Sequence, residues 1–102
     1  MVDLIEFINI SKLDEDSQRT AKEIVSKYTP KIKKILEDAT SATIHINEIK
    51  KSDHPSHFII RLKILIPKKV LEVEKDDHDL TTALHKTFEA LKNEFSHYIN
   101  KQ

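Results

Sequence analysis

From His57 to Ile66 the side chains alternate: Phe58, Ile60, Leu62, Ile64 and Ile66 fall on one side of an extended chain, and His57, Ile59, Arg61, Lys63 and Leu65 on the other. The first set is wholly apolar and demands burial. The second mixes aliphatic residues with two cations, which suits an interior strand covered by helices on one face and open to water on the other. Arg61 and Lys63 are therefore expected on the open face, and a register slip of one residue would invert every assignment.

The rest of the chain can be placed against this strand. Leu4 to Ile10 is rich in β-branched and aromatic residues and predicts a first strand. Leu13-Asp14-Glu15-Asp16-Ser17 then supplies acidic groups and a cap for a helix N-terminus. Ala21, Val25, Tyr28, Ile32 and Ile35 follow at helical spacing, in a stripe that keeps its phase through Pro30 and predicts one kinked helix. Pro30 removes a hydrogen bond to the Ser26 carbonyl and disfavours helical geometry at Thr29, so a break into two helices is the alternative. Ala42 to Ile49 alternates as a second strand, and Lys51-Ser52-Asp53-His54-Pro55 has the chemistry of a turn. Pro67-Lys68 offers a second turn, returning the chain as Val70 to Glu74 with Leu71 and Val73 on one side. A last helix begins near Asp77 or Asp79, and its stripe of Leu80, Leu84, Phe88, Leu91, Phe95 and Tyr98 should face the sheet.

The predicted order is β-α-β-β-β-α. This is an α+β fold class, a four-stranded mixed sheet of order 1-2-3-4 with two helices packed on one face. A right-handed crossover through the first helix makes strands 1 and 2 parallel, and strands 2, 3 and 4 form a meander. Double-stranded-RNA-binding domains share this topology, but topology alone assigns no function.

Composition narrows the function classes. The 102 residues, 38% hydrophobic and 33% charged, fit a single domain spanning residues 1–102. Lys+Arg and Asp+Glu both number 17, so any electrostatic recognition has to be local. Cysteine is absent, which removes disulfides and thiolate zinc sites. Glycine is absent too, which excludes the phosphate loops of nucleotide-binding folds and the glycine clamp of KH domains. The N-terminus has no basic stretch followed by a long apolar run, and no apolar segment approaches a membrane span, so a cytoplasmic protein without a membrane partner is expected.

The histidines offer little chemistry. His54-Pro55-Ser56-His57 has a two-residue gap, but no cysteine or carboxylate cluster completes an obvious four-ligand site, and the pair reads as surface-loop histidines. Nothing spaces Ser, His and Asp as a nucleophile elbow. No enzyme, metal site, cofactor or small-molecule substrate is expected.

Lysines are more informative. From Lys22 to Lys34 there are five, Lys22, Lys27, Lys31, Lys33 and Lys34, against the single acid Glu23. Lys27, Lys31 and Lys34 sit at i, i+4 and i+7, a ridge beside the apolar stripe that can neutralise phosphates. The bland alternative is a solvated helix face whose cations favour the helix C-terminus. Arg61 and Lys63, with Lys50, Lys51, Lys68 and Lys69 at the hairpin ends, could extend the patch or merely protect strand edges. Acids gather instead at Glu72, Glu74, Asp76, Asp77 and Asp79. Lys101, near the end of the chain, should contribute little.

The run Asp79-Leu80-Thr81-Thr82-Ala83-Leu84, after a strand and an acidic turn, resembles the start of the last helix in the ribosome hibernation promoting factor family, also called ribosome-associated inhibitor or sigma-54 modulation proteins. The spacing from Val25 through Lys31-Ile32-Lys33-Lys34 to Ile44 is similar to that family's first helix and second strand. The resemblance implies the fold derived above, and a short form without the C-terminal dimerisation domain. It further implies a translational silencer that binds ribosomal RNA of the small ribosomal subunit, occluding the messenger and transfer RNA path. Lys31 and Lys34 match family positions that face RNA. Tyr28 stands where the family often has a cation, Thr81 replaces its usual Tyr, and Ala90, Asn93 and His97 occupy places that are commonly Lys or Arg. The alternative is a protein-interaction module of the same fold that has lost ribosome affinity. A monomer is expected, with an edge-strand dimer as the other possibility.

Overall fold

A computed structural model describes residues 4–100; Lys101 lies outside them. The chain forms β1 (Glu6–Ile8), α1 (Glu15–Tyr28), α2 (Lys33–Asp38), β2 (Ser41–Lys51), β3 (His54–Ile66), β4 (Lys69–Asp77) and α3 (Leu80–Asn100). The sheet order is β1-β2-β3-β4, with β1 parallel to β2 and the other pairings antiparallel, as the alternation and the crossover argument require.

Cross-strand partners share a face, so the register separates the two surfaces. Ile44 pairs with Leu62, and Leu62 with Val73; Ile64 pairs with Leu71. All five are buried, together with Ile46, Phe58, Ile60 and Ile66, and the helices close over them. Arg61 and Lys63 are exposed on the other face, as the alternation demands. Leu80, Ala83, Leu84, Phe88 and Leu91 bring α3 onto this core, and Ala21, Ile24, Val25 and Tyr28 bring α1.

Four expectations need correction. The first strand is shorter than Leu4 to Ile10, because Asn9 turns into the left-handed region (φ 61°) and starts a 3-10 turn over Ile10–Lys12. Asparagine tolerates that conformation at low cost. Leu4 is exposed, and the sheet takes only Glu6–Ile8.

The first long helix is broken, not merely kinked. Thr29 stays helical despite preceding proline, and both its backbone N–H and its hydroxyl donate to the Val25 carbonyl. The chain then tightens into a 3-10 turn over Thr29–Ile32, and the change of direction falls at Ile32 (φ −110°, ψ 23°). Ile32 and Ile35 remain buried, so the apolar stripe survives the break. Burial of these two isoleucines, in a core that the straight helix would leave, stabilises the bend.

The hairpin after β2 is also tighter than expected. Lys51 pairs with His54, leaving only Ser52 and Asp53 in the loop, so His54 and His57 belong to β3 and not to a loop. Pro67 and Lys68 make an equally short turn between Ile66 and Lys69, with Lys68 at φ 67°. In a chain without glycine a lysine carries this left-handed turn position.

Finally, the α3 stripe is buried only as far as Leu91. Phe95 and Tyr98 are half-buried and Ile99 is exposed, because the helix runs past the layer beneath it. The start of α3 follows expectation: Asp79 accepts hydrogen bonds from the backbone N–H (2.9 Å) and hydroxyl (2.8 Å) of Thr82, and Asp77 accepts from the Asp79 N–H (3.0 Å). Asp14 caps α1 through the Ser17 N–H at 2.7 Å.

Candidate nucleic-acid interface

The five lysines of the first helical region are all exposed. Their apolar neighbours in sequence, Ile24, Val25, Tyr28, Ile32 and Ile35, point into the core and leave the cations no direction but outward. Lys22 and Lys27 lie on α1, Lys31 in the 3-10 turn, and Lys33 and Lys34 on α2. The ridge of Lys27, Lys31 and Lys34 is therefore spread over three segments and is not one regular helical row. Among the described residues, none of the five has a carboxylate within 4.0 Å. Their charge faces solvent.

Lys31 has one notable neighbour. Its Nζ lies 5.2 Å from the centroid of the Tyr28 ring, within cation–π range. Tyr28 is stacked on Phe88 of α3, with centroids 4.5 Å apart and planes 2° apart, and its hydroxyl meets Nδ1 of His85 at 2.5 Å. This contact ties the lysine-bearing region to α3 through the core. Tyr28 was legible as a stripe residue, but its partner 57 positions away was not.

Arg61 and Lys63 do not extend this surface. They lie across the sheet from the helices, with the core between, so one partner surface cannot meet both groups face on. Arg61 is moreover engaged: its Nε and Nη2 both donate to Oε1 of Glu74, at 3.1 and 2.7 Å. Glu74 raises the Arg61 pKa further above its ordinary value, chiefly through these hydrogen bonds. Lys63 stands opposite Glu72 and Thr43, and Thr43 stands opposite Glu6. With Asp76 opposite Ile59, the open face sets the four acids Glu6, Glu72, Glu74 and Asp76 against the two cations Arg61 and Lys63. Such a face repels phosphate.

Among the described residues, the exposed side of α3 adds no free cation in its first three turns. Lys86 donates to Asp77 at 2.7 Å, which raises the lysine pKa. The Asp77 carboxyl is held low by the backbone N–H of Asp79 first and by Lys86 second. Lys92 lies 3.4 Å from Glu89. Ala90, Asn93 and His97 stand on the same helix and supply no permanent charge.

A second cluster escaped sequence reasoning, because it joins β3 to the β4–α3 junction. His57 Nε2 lies 2.5 Å from Asp76 Oδ2, its Nδ1 lies 3.4 Å from Nδ1 of His78, and that nitrogen lies 3.1 Å from the Ser56 carbonyl. Among the described residues, no three side chains of the His, Cys, Asp and Glu types close into a metal cage. No helix of the described residues is long and apolar enough to cross a membrane. The chain matches no protein-family model, and no curated protein is significantly similar to it.

Proposed function

We propose that this chain is a non-enzymatic, cytoplasmic translational silencer that binds the small ribosomal subunit and occludes its messenger and transfer RNA path during stress or stationary phase. The observation that carries this reading is the group of five exposed lysines, Lys22, Lys27, Lys31, Lys33 and Lys34, without carboxylate partners among the described residues. Unpaired cations on the helical side suit phosphate neutralisation, whereas the paired Arg61 and the acidic sheet face do not. The β-α-β-β-β-α fold is the one implied by the resemblance to hibernation factors that rests on the run Asp79-Leu80-Thr81-Thr82-Ala83-Leu84. Binding would thus run through the helical face alone, and Arg61 and Lys63 drop out of the contact.

Co-sedimentation with small ribosomal subunits at increasing salt tests the reading. Binding should weaken steeply with salt, and each single Lys→Ala change at Lys27, Lys31 or Lys34 should flatten the logarithmic slope by about 0.7 to 0.9. Replacing all three with Glu should abolish binding without loss of helical circular dichroism, since none of them is in the core. A folded triple variant that still co-sediments fully would exclude this surface. The second reading, an interaction module without ribosome affinity, draws on the open sheet face, where Ile8 and Val70 are exposed beside the acids. Failure of the unmodified protein to bind subunits at any salt would favour it.

A further inference from the structure

Beyond the lysine surface, the cluster at the junction of β4 and α3 brings two imidazole nitrogens and a backbone carbonyl oxygen close together. The Ser56 carbonyl and the Asp76 carboxylate only accept hydrogen bonds, which fixes the protons. His78 places its proton on Nδ1, toward Ser56 at 3.1 Å, and His57 places its proton on Nε2, toward Asp76 at 2.5 Å. Nδ1 of neutral His57 is then a bare lone pair. Its sole neighbour in the cluster is the His78 Nδ1–H at 3.4 Å, a proton already directed at Ser56 and too distant for a good bond.

The same spacing suits a metal ion. Two imidazole nitrogens bound at about 2.0 to 2.1 Å with a tetrahedral angle between them stand about 3.3 to 3.4 Å apart. The observed 3.4 Å matches this separation, and the Ser56 carbonyl offers a third donor at 3.1 Å from His78 Nδ1. The rings meet edge to face, with centroids 4.7 Å apart and planes 76° apart. Asp76 behind His57 is the partner that ligating histidines recurrently have: it holds the proton on the far nitrogen and fixes the orientation of the ring. The site is reachable, since the His57 side chain is 31% exposed and both histidines line a cleft of about 440 Å³ with His54, Pro55, Ile49 and Lys51.

We propose that His57 and His78 form an open, exchangeable site for a divalent transition metal of the zinc and copper class. The Ser56 carbonyl serves as third donor, water completes the shell, and Asp76 orients His57. Entry of the ion displaces the Nδ1 proton of His78, which returns to the ring at Nε2 or leaves to solvent. Two imidazoles select Cu²⁺ over Zn²⁺ and Zn²⁺ over Mn²⁺, and give Mg²⁺ and Ca²⁺ no purchase.

Titrating the full chain with Zn²⁺ while recording nitrogen-edited imidazole spectra tests the site directly. Selective shifts of His57 and His78, with His45, His85 and His97 unmoved, are expected. His57→Ala and His78→Ala should each weaken Zn²⁺ binding at least tenfold by calorimetry, and Asp76→Asn should weaken it about 10- to 100-fold. Because His57, His78 and Asp76 lie outside the buried core, these variants should keep the native circular dichroism spectrum. Zn²⁺ shifts spread evenly over all the histidines, no shifts, or affinities within twofold of the unmodified protein in any of the three folded variants would overturn the proposal.

Discussion

Phe88 and Phe95 lie two turns apart on the same apolar stripe of α3, so periodicity assigns them equal weight, while the structure separates them. Phe88 is fully buried, stacked on Tyr28 beneath the junction of α1 and α3. Its truncation to alanine removes the ring and leaves a cavity that rigid neighbours on both helices cannot fill, a loss of about 3 to 5 kcal/mol. The stacking geometry contributes to the upper part of that range. Phe95 is half-buried beside Ile66, Pro67 and Tyr98, at the end of the helix that overhangs the core. Water replaces its ring without leaving a void, so only part of the transfer free energy is lost, about 1 kcal/mol. Equilibrium urea denaturation followed by far-ultraviolet circular dichroism measures both, provided the m value is unchanged. For a domain expected to have a stability of about 5 to 15 kcal/mol, Phe88→Ala should lie near the edge of folding and Phe95→Ala well within it. Losses that agree within about 0.5 kcal/mol would refute the argument that the layer beneath α3 ends at Leu91.

Two further outcomes are expected. The carboxyls of Asp14, Asp77 and Asp79 are held below the ordinary carboxylate range, by the Ser17 N–H, by the Asp79 N–H and Lys86, and by the Thr82 hydroxyl and N–H respectively. A depressed folded pKa contributes stability that is present above the unfolded value of about 3.9 and is lost as pH falls through the folded one. Urea midpoints measured from pH 5 down to pH 2 should therefore fall less steeply in Asp79→Ala than in the unmodified protein, and parallel curves would contradict this. Lys68→Gly should raise stability by about 1 kcal/mol, since glycine takes φ 67° without the steric cost a Cβ imposes. A lower thermal midpoint in that variant would show that the turn is held by the lysine side chain.

Much of this fold was legible because strand and helix periods report burial locally. Alternation over Phe58, Ile60, Leu62 and Ile64 demands a sheet covered on one side and places Arg61 and Lys63 on the other. The exposure of Lys27, Lys31 and Lys34 follows in the same way from the stripe beside them. The helix break was foreseen as an alternative at Pro30, but its location at Ile32 depends on where Ile32 and Ile35 find the core.

Only the tertiary structure decided which charges are free. Register puts Glu74 against Arg61, so that cation is engaged, while Lys22, Lys27, Lys31, Lys33 and Lys34 meet no carboxylate among the described residues. It also decided that Phe95 ends outside the closed core, because burial there depends on the length of the layer beneath the helix and not on the helix's own period. The meeting of His57 with His78 and Asp76 is of the same kind: three residues spread over 22 positions meet because β4 lies beside β3 and turns into α3 at Asp77. Local periodicity fixes the direction of each side chain from its own element, but proximity between elements is set by pairing register and relative length, which no window of the chain contains.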